Sequence, residues 1–301
     1  MKRKIWVGVG AYMLTSVSPA VTAAAQDDSS AMKIPGAFQY MDKTEQSTHV
    51  LGQALQLAAA GGEGGEGGES GEGGEGGEAG LASTASPEQT FVTQLLLMQG
   101  HLRVGKALVD QGNWDDALAH FKHPVEEIYS AIEDELTARE ITQFEGQLNT
   151  LADQVQNKAG GEAFEQNYAD VMVQIGNAVN SVDTNTRTSP DFVLDVALQL
   201  LRQASEEYEA AVADDKLVNV AEYQDSLGFV WVAEDLVQGV SDQLQAADGD
   251  AYEQLQNRFA ELKTAWPSVA PPLRPAATPS QVYGTVARIE IAMNDLKQPD
   301  N

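Results

Sequence analysis

Apolar residues recur every three or four positions through most of residues 86–296, and this spacing predicts a succession of α-helices. The first is expected over 88–111, because Ser86 and Pro87 form a typical helix start. Its main apolar stripe consists of Phe91, Leu95, Met98, Leu102, Gly105 and Val109. A second apolar face, formed by Leu96, Leu97, Val104 and Leu108, indicates that this helix lies in the interior.

The same periodicity continues after a break at Gly112-Asn113. Breaks between the later segments are rich in glycine, proline and aspartate, and valine-rich alternating segments typical of strands are nearly absent. We therefore predict an all-α fold, an antiparallel helical bundle built from helical hairpins, over 86–301. The further helices are expected at 114–122, 124–140, 141–158, 163–182, 190–213, 219–246, 249–265 and 279–296.

The first 25 residues have the layout of a secretory signal peptide. Lys2, Arg3 and Lys4 precede a short apolar run, and alanines at 23–25 supply a cleavage site near Ala25. A membrane anchor is the alternative, but the run is shorter than the roughly 20 apolar residues that cross a bilayer. We expect a periplasmic or secreted protein whose mature chain does not insert into the membrane.

Residues 26–85 are expected to form a flexible N-terminal segment. Its centre, 61–80, is glycine-rich with a glutamate at every third position, and such a sequence cannot bury a core. We interpret this linker as a disordered tether. Weak cation capture by the glutamates is the alternative.

The charge balance limits the possible partners. The chain has 18 basic and 45 acidic residues, a net charge of −27, which disfavours binding to nucleic acid and favours cations or a basic partner. High solubility is the simpler explanation. The chain has no cysteine, no P-loop, no Gly-x-Ser-x-Gly and no His-Glu-x-x-His. We therefore expect neither an enzyme nor a haem or nucleotide site.

The stretch from Gly100 to Pro124 contains three of the four histidines. A hairpin turning at Gly112 places His101 opposite His123 and Met98 opposite Glu126, while His120 lies one turn before His123. Pairs spaced i, i+3 on facing helices are how helical bundles build metal sites. Imidazole and carboxylate suit iron, copper or zinc, and a thioether would favour copper.

The helical phase leaves this prediction open. On an ideal helix from Trp114, His123 points away from the apolar stripe, so its direction depends on whether Pro124 resets the phase. The same stretch also has the spacing of a single tetratricopeptide-like hairpin. That alternative is a helical interaction module, without metal, that docks to an envelope partner and has solvent-facing histidines and a continuous apolar groove.

A second candidate group lies in residues 204–237. A turn near Asp215 brings Tyr208 and Tyr223 to one height beside Glu222, and oxygen ligands of this kind bind ferric iron. Packed tyrosines with solvated glutamates are the alternative.

This second stretch resembles the soluble periplasmic helical region of bacterial high-affinity iron permeases, and His123-x-x-Glu126 is similar to the His-x-x-Glu of imelysin-like proteins. The first resemblance rests on Tyr208, Ala211, Val212, Asp214, Asp215, Lys216, Val218, Asn219, Glu222 and Tyr223. The Arg-Glu-x-x-Glu motif and the membrane helices of the permease are absent. The resemblances imply a periplasmic protein of metal uptake or homeostasis, with iron or copper as the ion and an inner-membrane permease or other envelope protein as a partner.

Overall fold

The computed structural model describes residues 85–297, and most of this segment is helical. The predicted all-α bundle is confirmed, whereas the predicted signal peptide and tether lie outside the described residues. The α-helices are α1 (Pro87–Asp110), α2 (Trp114–His123), α3 (Ser130–Ala138), α4 (Glu145–Gln156), α5 (Glu162–Asn180), α6 (Thr184–Arg187), α7 (Pro190–Ala211), α8 (Val220–Gly239), α9 (Ser241–Ala247), α10 (Gly249–Lys263) and α11 (Pro279–Lys297). A π-helical turn, Pro124–Tyr129, joins α2 to α3, and strands β1 (Val212–Ala213) and β2 (Lys216–Leu217) pair antiparallel between α7 and α8.

Helix α1 is the interior helix that its two apolar faces predict. Ser86 Oγ accepts a hydrogen bond from the backbone N–H of Gln89, and the Gln89 side chain accepts one from the backbone N–H of Ser86. This reciprocal cap satisfies two of the free N–H groups at the helix start. From residue 91 to 102 every side chain of α1 is buried, and the helix contacts α2, α5, α7 and α8.

Helices α7 and α8 form a long antiparallel hairpin with the most extensive helix–helix contact of the described residues. Its turn places Asp214 and Asp215 at positive φ, 51° and 57°, which is the backbone of a two-residue hairpin loop. Helix α11 packs against α7 and α10, and α10 also touches α8. These four long helices, with the short α6 and α9, make up the C-terminal half of the fold.

The N-terminal half consists of α1 to α5. Helix α2 packs on α1 and α4, and α5 packs on α4 and α1. Phe164 of α5 contacts both Trp114 and Phe121 of α2 edge to face, with ring centroids 6.0 and 5.8 Å apart. This aromatic cluster fixes α2 in place, and α2 carries two of the three histidines near the hairpin turn.

Two predicted helices differ from the structure. The segment expected as one helix over 219–246 is divided into α8 and α9, because the helix ends at Gly239 and Val240 leaves the helical region at φ −113°. The helix expected from 141 starts only at Glu145, since Glu140 takes a positive φ of 56° and ends the preceding helix. No helix between residues 85 and 297 combines the length and apolarity that crossing a membrane requires.

Candidate metal centre

Three histidines converge on a single buried carboxylate, that of Asp225 in α8. The Nδ1 atoms of His101 and His120 lie 2.5 and 2.7 Å from Asp225 Oδ1, and His123 Nδ1 lies 3.1 Å from Oδ2. His101, His120 and Asp225 are wholly buried, whereas the His123 side chain remains 15% exposed. We call these four residues the histidine–aspartate cluster.

Glycines bring the helices of the cluster close enough for these contacts. A Cβ atom on Gly228 would lie 2.4 Å from the carbonyl oxygen of Gly100, so α1 and α8 touch backbone to backbone at this crossing. His101 follows Gly100 directly, and Asp225 lies almost one turn before Gly228. On α1, a Cβ on Gly105 would lie 2.7 Å from the Phe121 ring, so α2 also approaches α1 closely.

Both ring nitrogens of His120 have side-chain partners from α8. Gln224 donates through Nε2 to the carbonyl oxygen of Val269, so its Oε1 faces His120 Nε2 at 2.9 Å as an acceptor. The other ring nitrogen of His120 faces the Asp225 carboxylate. Both ring nitrogens of His120 therefore lie against oxygen atoms, one of Gln224 and one of Asp225.

The electrostatics of Asp225 and His123 agree with this arrangement. Burial by itself raises the pKa of Asp225, but the charges of His101 and His120 and their hydrogen bonds outweigh it and hold the pKa well below its usual range. Burial lowers the pKa of His123, but the hydrogen bond and charge of Asp225, with a smaller contribution from Glu127, raise it above its ordinary value.

Two groups of three residues in this region have the composition of a metal site. His101, His120 and Asp225 form a buried group, and His101, His123 and Glu127 form a partly exposed one; within each, one potential ligand atom per residue lies within 4.8 Å of the others. Two ligands of one ion lie roughly 3.0 to 3.4 Å apart, given metal–ligand bonds of about 2.1 Å. The two distances from Asp225 Oδ1, 2.5 Å to His101 and 2.7 Å to His120, are shorter than this, so an ion bound there would separate each histidine from the carboxylate by less than about 1 Å.

The structure brings the three predicted histidines together and replaces one predicted partner. His101 and His123 have ring centroids 5.4 Å apart, and His120 and His123 have centroids 6.3 Å apart. Glu126 is exposed, and the carboxylate near His123 is instead that of Glu127, at 3.9 Å from Nε2. Glu127 follows His123 by four residues, a spacing that shares a face in an α-helix, and it keeps this position in the π-helical turn, which holds more residues per turn.

The predicted helix boundary at Pro124 is absent. Pro124 is the first residue of the π turn, and the chain stays helical from Trp114 to Ala138. Met98, the predicted thioether ligand, is wholly buried in the hydrophobic core of the fold.

The second predicted group has other partners in the structure. Tyr208 and Tyr223 pack with ring centroids 6.2 Å apart, as the common height predicts. Their hydroxyls donate to the backbone carbonyls of Ala277 and Ser268 respectively. Glu222 accepts a hydrogen bond from the side chain of Asn219 at the start of α8. These contacts are those of packed tyrosines and a capping residue.

The sequence analysis does not predict three residues of this region: Asp225, Gln224 and Glu127. The signal for Asp225 is its position on α8, where Phe229, Val232 and Leu236 follow it at the spacing of one helix face. An acidic residue on an otherwise apolar stripe must have a partner in the core. Glu127 could not be distinguished from Glu126 without knowing the pitch of the helix after Pro124.

The interaction-module alternative predicts exposed histidines and an apolar groove. The histidines are buried or nearly so. A cavity of about 520 Å³ does lie beside α1, but charged and aromatic residues surround it, including Arg103, Lys106, Glu165, Tyr168, Trp231 and Asp235. The burial of the three histidines does not match that alternative.

Comparison with known proteins gives a family match for the C-terminal half of the fold. The chain has no significant match among curated proteins or among solved structures. The part that contains α6 to α11 does match a family, and this part supplies Asp225, while the three histidines precede it. Residues 183–299 match the model of the iron permease-associated 4-helix bundle domain, which confirms the resemblance carried by the stretch around Tyr208 and Tyr223.

Proposed function

We propose that this protein binds a transition-metal ion, iron in preference to copper, in the periplasm, and serves metal uptake or homeostasis rather than catalysis. The observation that carries the proposal is the convergence of His101, His120 and His123 on Asp225. The ion is the cargo of the protein. An inner-membrane permease or another envelope protein is the proposed partner, since the C-terminal half resembles a domain associated with iron permeases.

The ligand chemistry supports iron. Each candidate group pairs two imidazoles with one carboxylate, a composition typical of Fe²⁺ sites, and imidazole ligands also suit zinc and copper. A thioether would favour copper, but Met98 belongs to the hydrophobic core. The excess of acidic residues also favours accumulation of cations near the surface.

Burial explains why such a site would hold its ion. His101, His120 and Asp225 are shielded from water, and in such a site a cation can replace the protons that now balance the Asp225 charge. Metal binding to protonated ligands releases protons, so affinity is expected to rise with pH. Without metal, the same four residues are held together by the contacts of the histidines with Asp225.

The test is anaerobic titration of the purified full-length chain with Fe²⁺, with elemental analysis of the product. We expect one ion per chain, with binding lost in His101→Ala and Asp225→Asn. Asp116→Asn is the matched control, because it removes an exposed carboxylate from α2. Circular dichroism of each variant separates loss of binding from loss of fold, and His123→Gln provides a milder change at the edge of the cluster.

Two results would overturn the proposal. One is the absence of binding by the folded wild-type chain. The other is unchanged binding in both His101→Ala and Asp225→Asn.

A further inference from the structure

We propose that the centre has two overlapping positions for a single ion, an outer one that receives it from solvent and an inner one that holds it. The outer position consists of His101, His123 and Glu127, and the inner position of His101, His120 and Asp225. This inference rests on the proposed metal-binding function and deepens it by describing the route of the ion.

The two positions differ in exposure. The residues of the inner position are all wholly buried, so an ion cannot reach them directly from water. In the outer position the Glu127 side chain is 37% exposed and that of His123 is 15% exposed, so this group forms the edge of the cluster that faces solvent. An ion arriving from outside meets the carboxylate of Glu127 first.

His101 and His123 connect the two positions. His101 belongs to both groups. His123 contacts Asp225 through Nδ1 and faces Glu127 through Nε2, so its ring lies between the outer and the inner carboxylate. An ion can therefore pass inward by exchanging Glu127 for Asp225 and His123 for His120, with His101 as the ligand common to both positions.

The carboxylate of the outer position lies in the π-helical turn. Residues 124–129 form this turn directly after His123, and Glu127, at position i+4, lies near the His123 ring while its neighbour Glu126 is exposed. Such turns within α-helices are frequent at functional sites. Glu126 and Glu127 thus form a natural pair of adjacent, chemically identical side chains, of which only one belongs to the route.

The experiment compares the rate and the extent of metal binding in the full-length chain. Co²⁺ serves as the probe because its visible absorption reports changes in coordination, and uptake is followed by stopped flow. Glu127→Gln is expected to slow uptake about tenfold, at the low end of the effect of charge in a cleft, and to leave the equilibrium affinity within about twofold. Glu126→Gln is the matched control and is expected to leave both unchanged.

A second variant isolates the outer position. His120→Gln removes an inner ligand, and the hydrogen bonds of the glutamine side chain keep a polar group in the buried space. We expect fast uptake to remain, with an equilibrium affinity lowered by at least about 100-fold, since loss of a residue that only supports a metal ligand already costs about 10- to 100-fold. Repetition with Fe²⁺ under anaerobic conditions checks that the cargo ion follows the same route.

The outcomes separate this inference from the proposed function. If the wild-type chain binds no metal, the proposed function itself fails. If the wild-type chain binds one ion but Glu127→Gln takes it up at the wild-type rate, the function stands and the route is wrong. A stoichiometry of two ions, or an equal loss of affinity in Glu127→Gln and His120→Gln, likewise overturns the two-position route.

Discussion

Replacement of Gly228 by alanine tests whether close contact between α1 and α8 maintains the cluster. A Cβ at this position would lie 2.4 Å from the carbonyl oxygen of Gly100, whereas ordinary contacts begin at 3.4 Å. The two backbones must therefore separate by about 1 Å at their crossing. Neither atom belongs to a flexible side chain that can rotate away. The separation would draw His101 away from Asp225, three residues from the crossing.

The expected cost combines three effects. Overpacking of this kind costs about 2 kcal/mol, and loss of the charged hydrogen bond between His101 and Asp225 costs about 2 kcal/mol. The greater helix propensity of alanine returns about 1 kcal/mol. The free energy of unfolding should therefore fall by about 3 kcal/mol, which lowers the Tm of a domain of this size by roughly 6 to 12 °C.

Gly146→Ala is the control for this prediction. Gly146 lies in α4, where an added Cβ meets nothing within 4 Å, so only the gain in helix propensity applies. Urea and thermal unfolding followed by circular dichroism measure both variants. We expect Gly146→Ala to be as stable as wild type or slightly more so. If Gly228→Ala unfolds with the same midpoint as Gly146→Ala, the close crossing does not determine the stability of the cluster.

Three further predictions concern His123, Asp225 and the two buried tyrosines. The raised pKa of His123 stabilises the folded protein at pH values below the unfolded pKa of about 6.5, and this stability is lost as pH rises through the folded pKa. NMR titration of His123 measures the pKa, and His123→Gln should lose this pH dependence of stability. The lowered pKa of Asp225 contributes stability above about pH 3.9 that disappears as pH falls further, and Asp225→Asn should cost about 3 kcal/mol in urea unfolding at pH 7; an unchanged midpoint would contradict the buried ion pair. Tyr208→Phe and Tyr223→Phe each remove one hydrogen bond to a carbonyl, so each should cost about 1 kcal/mol and leave metal stoichiometry unchanged; loss of bound metal in either would restore the tyrosines as ligands.

The hairpin around Gly112 shows what local signals can and cannot predict. The apolar stripes of α1 and α2, the cap at Ser86 and the break at Gly112 all act within a few residues, so they were sufficient to predict two antiparallel helices and the pairing of His101 with His123. The phase after Pro124 was not predictable, because a π turn depends on packing against other helices. The sequence therefore predicts Glu126 as the carboxylate beside His123, whereas the structure has Glu127 there.

The fourth member of the cluster required the fold. Asp225 is more than 100 residues from His101 and His120 along the chain, and no spacing rule connects positions so far apart. The tyrosines at 208 and 223 were the more conspicuous residues of the same hairpin, but their hydroxyls are occupied by carbonyls from the segment before α11.

Periodicity, capping residues and helix breakers alone determined the helices, their order and the buried character of α1, because helix formation responds to neighbours within one or two turns. The likeness of the C-terminal half to an iron permease-associated domain was also contained in the sequence. Only the tertiary structure decided that this half contributes a carboxylate and the N-terminal half contributes three imidazoles. Their meeting depends on two glycines that allow α1 and α8 to touch, a contact between residues that are distant in the chain.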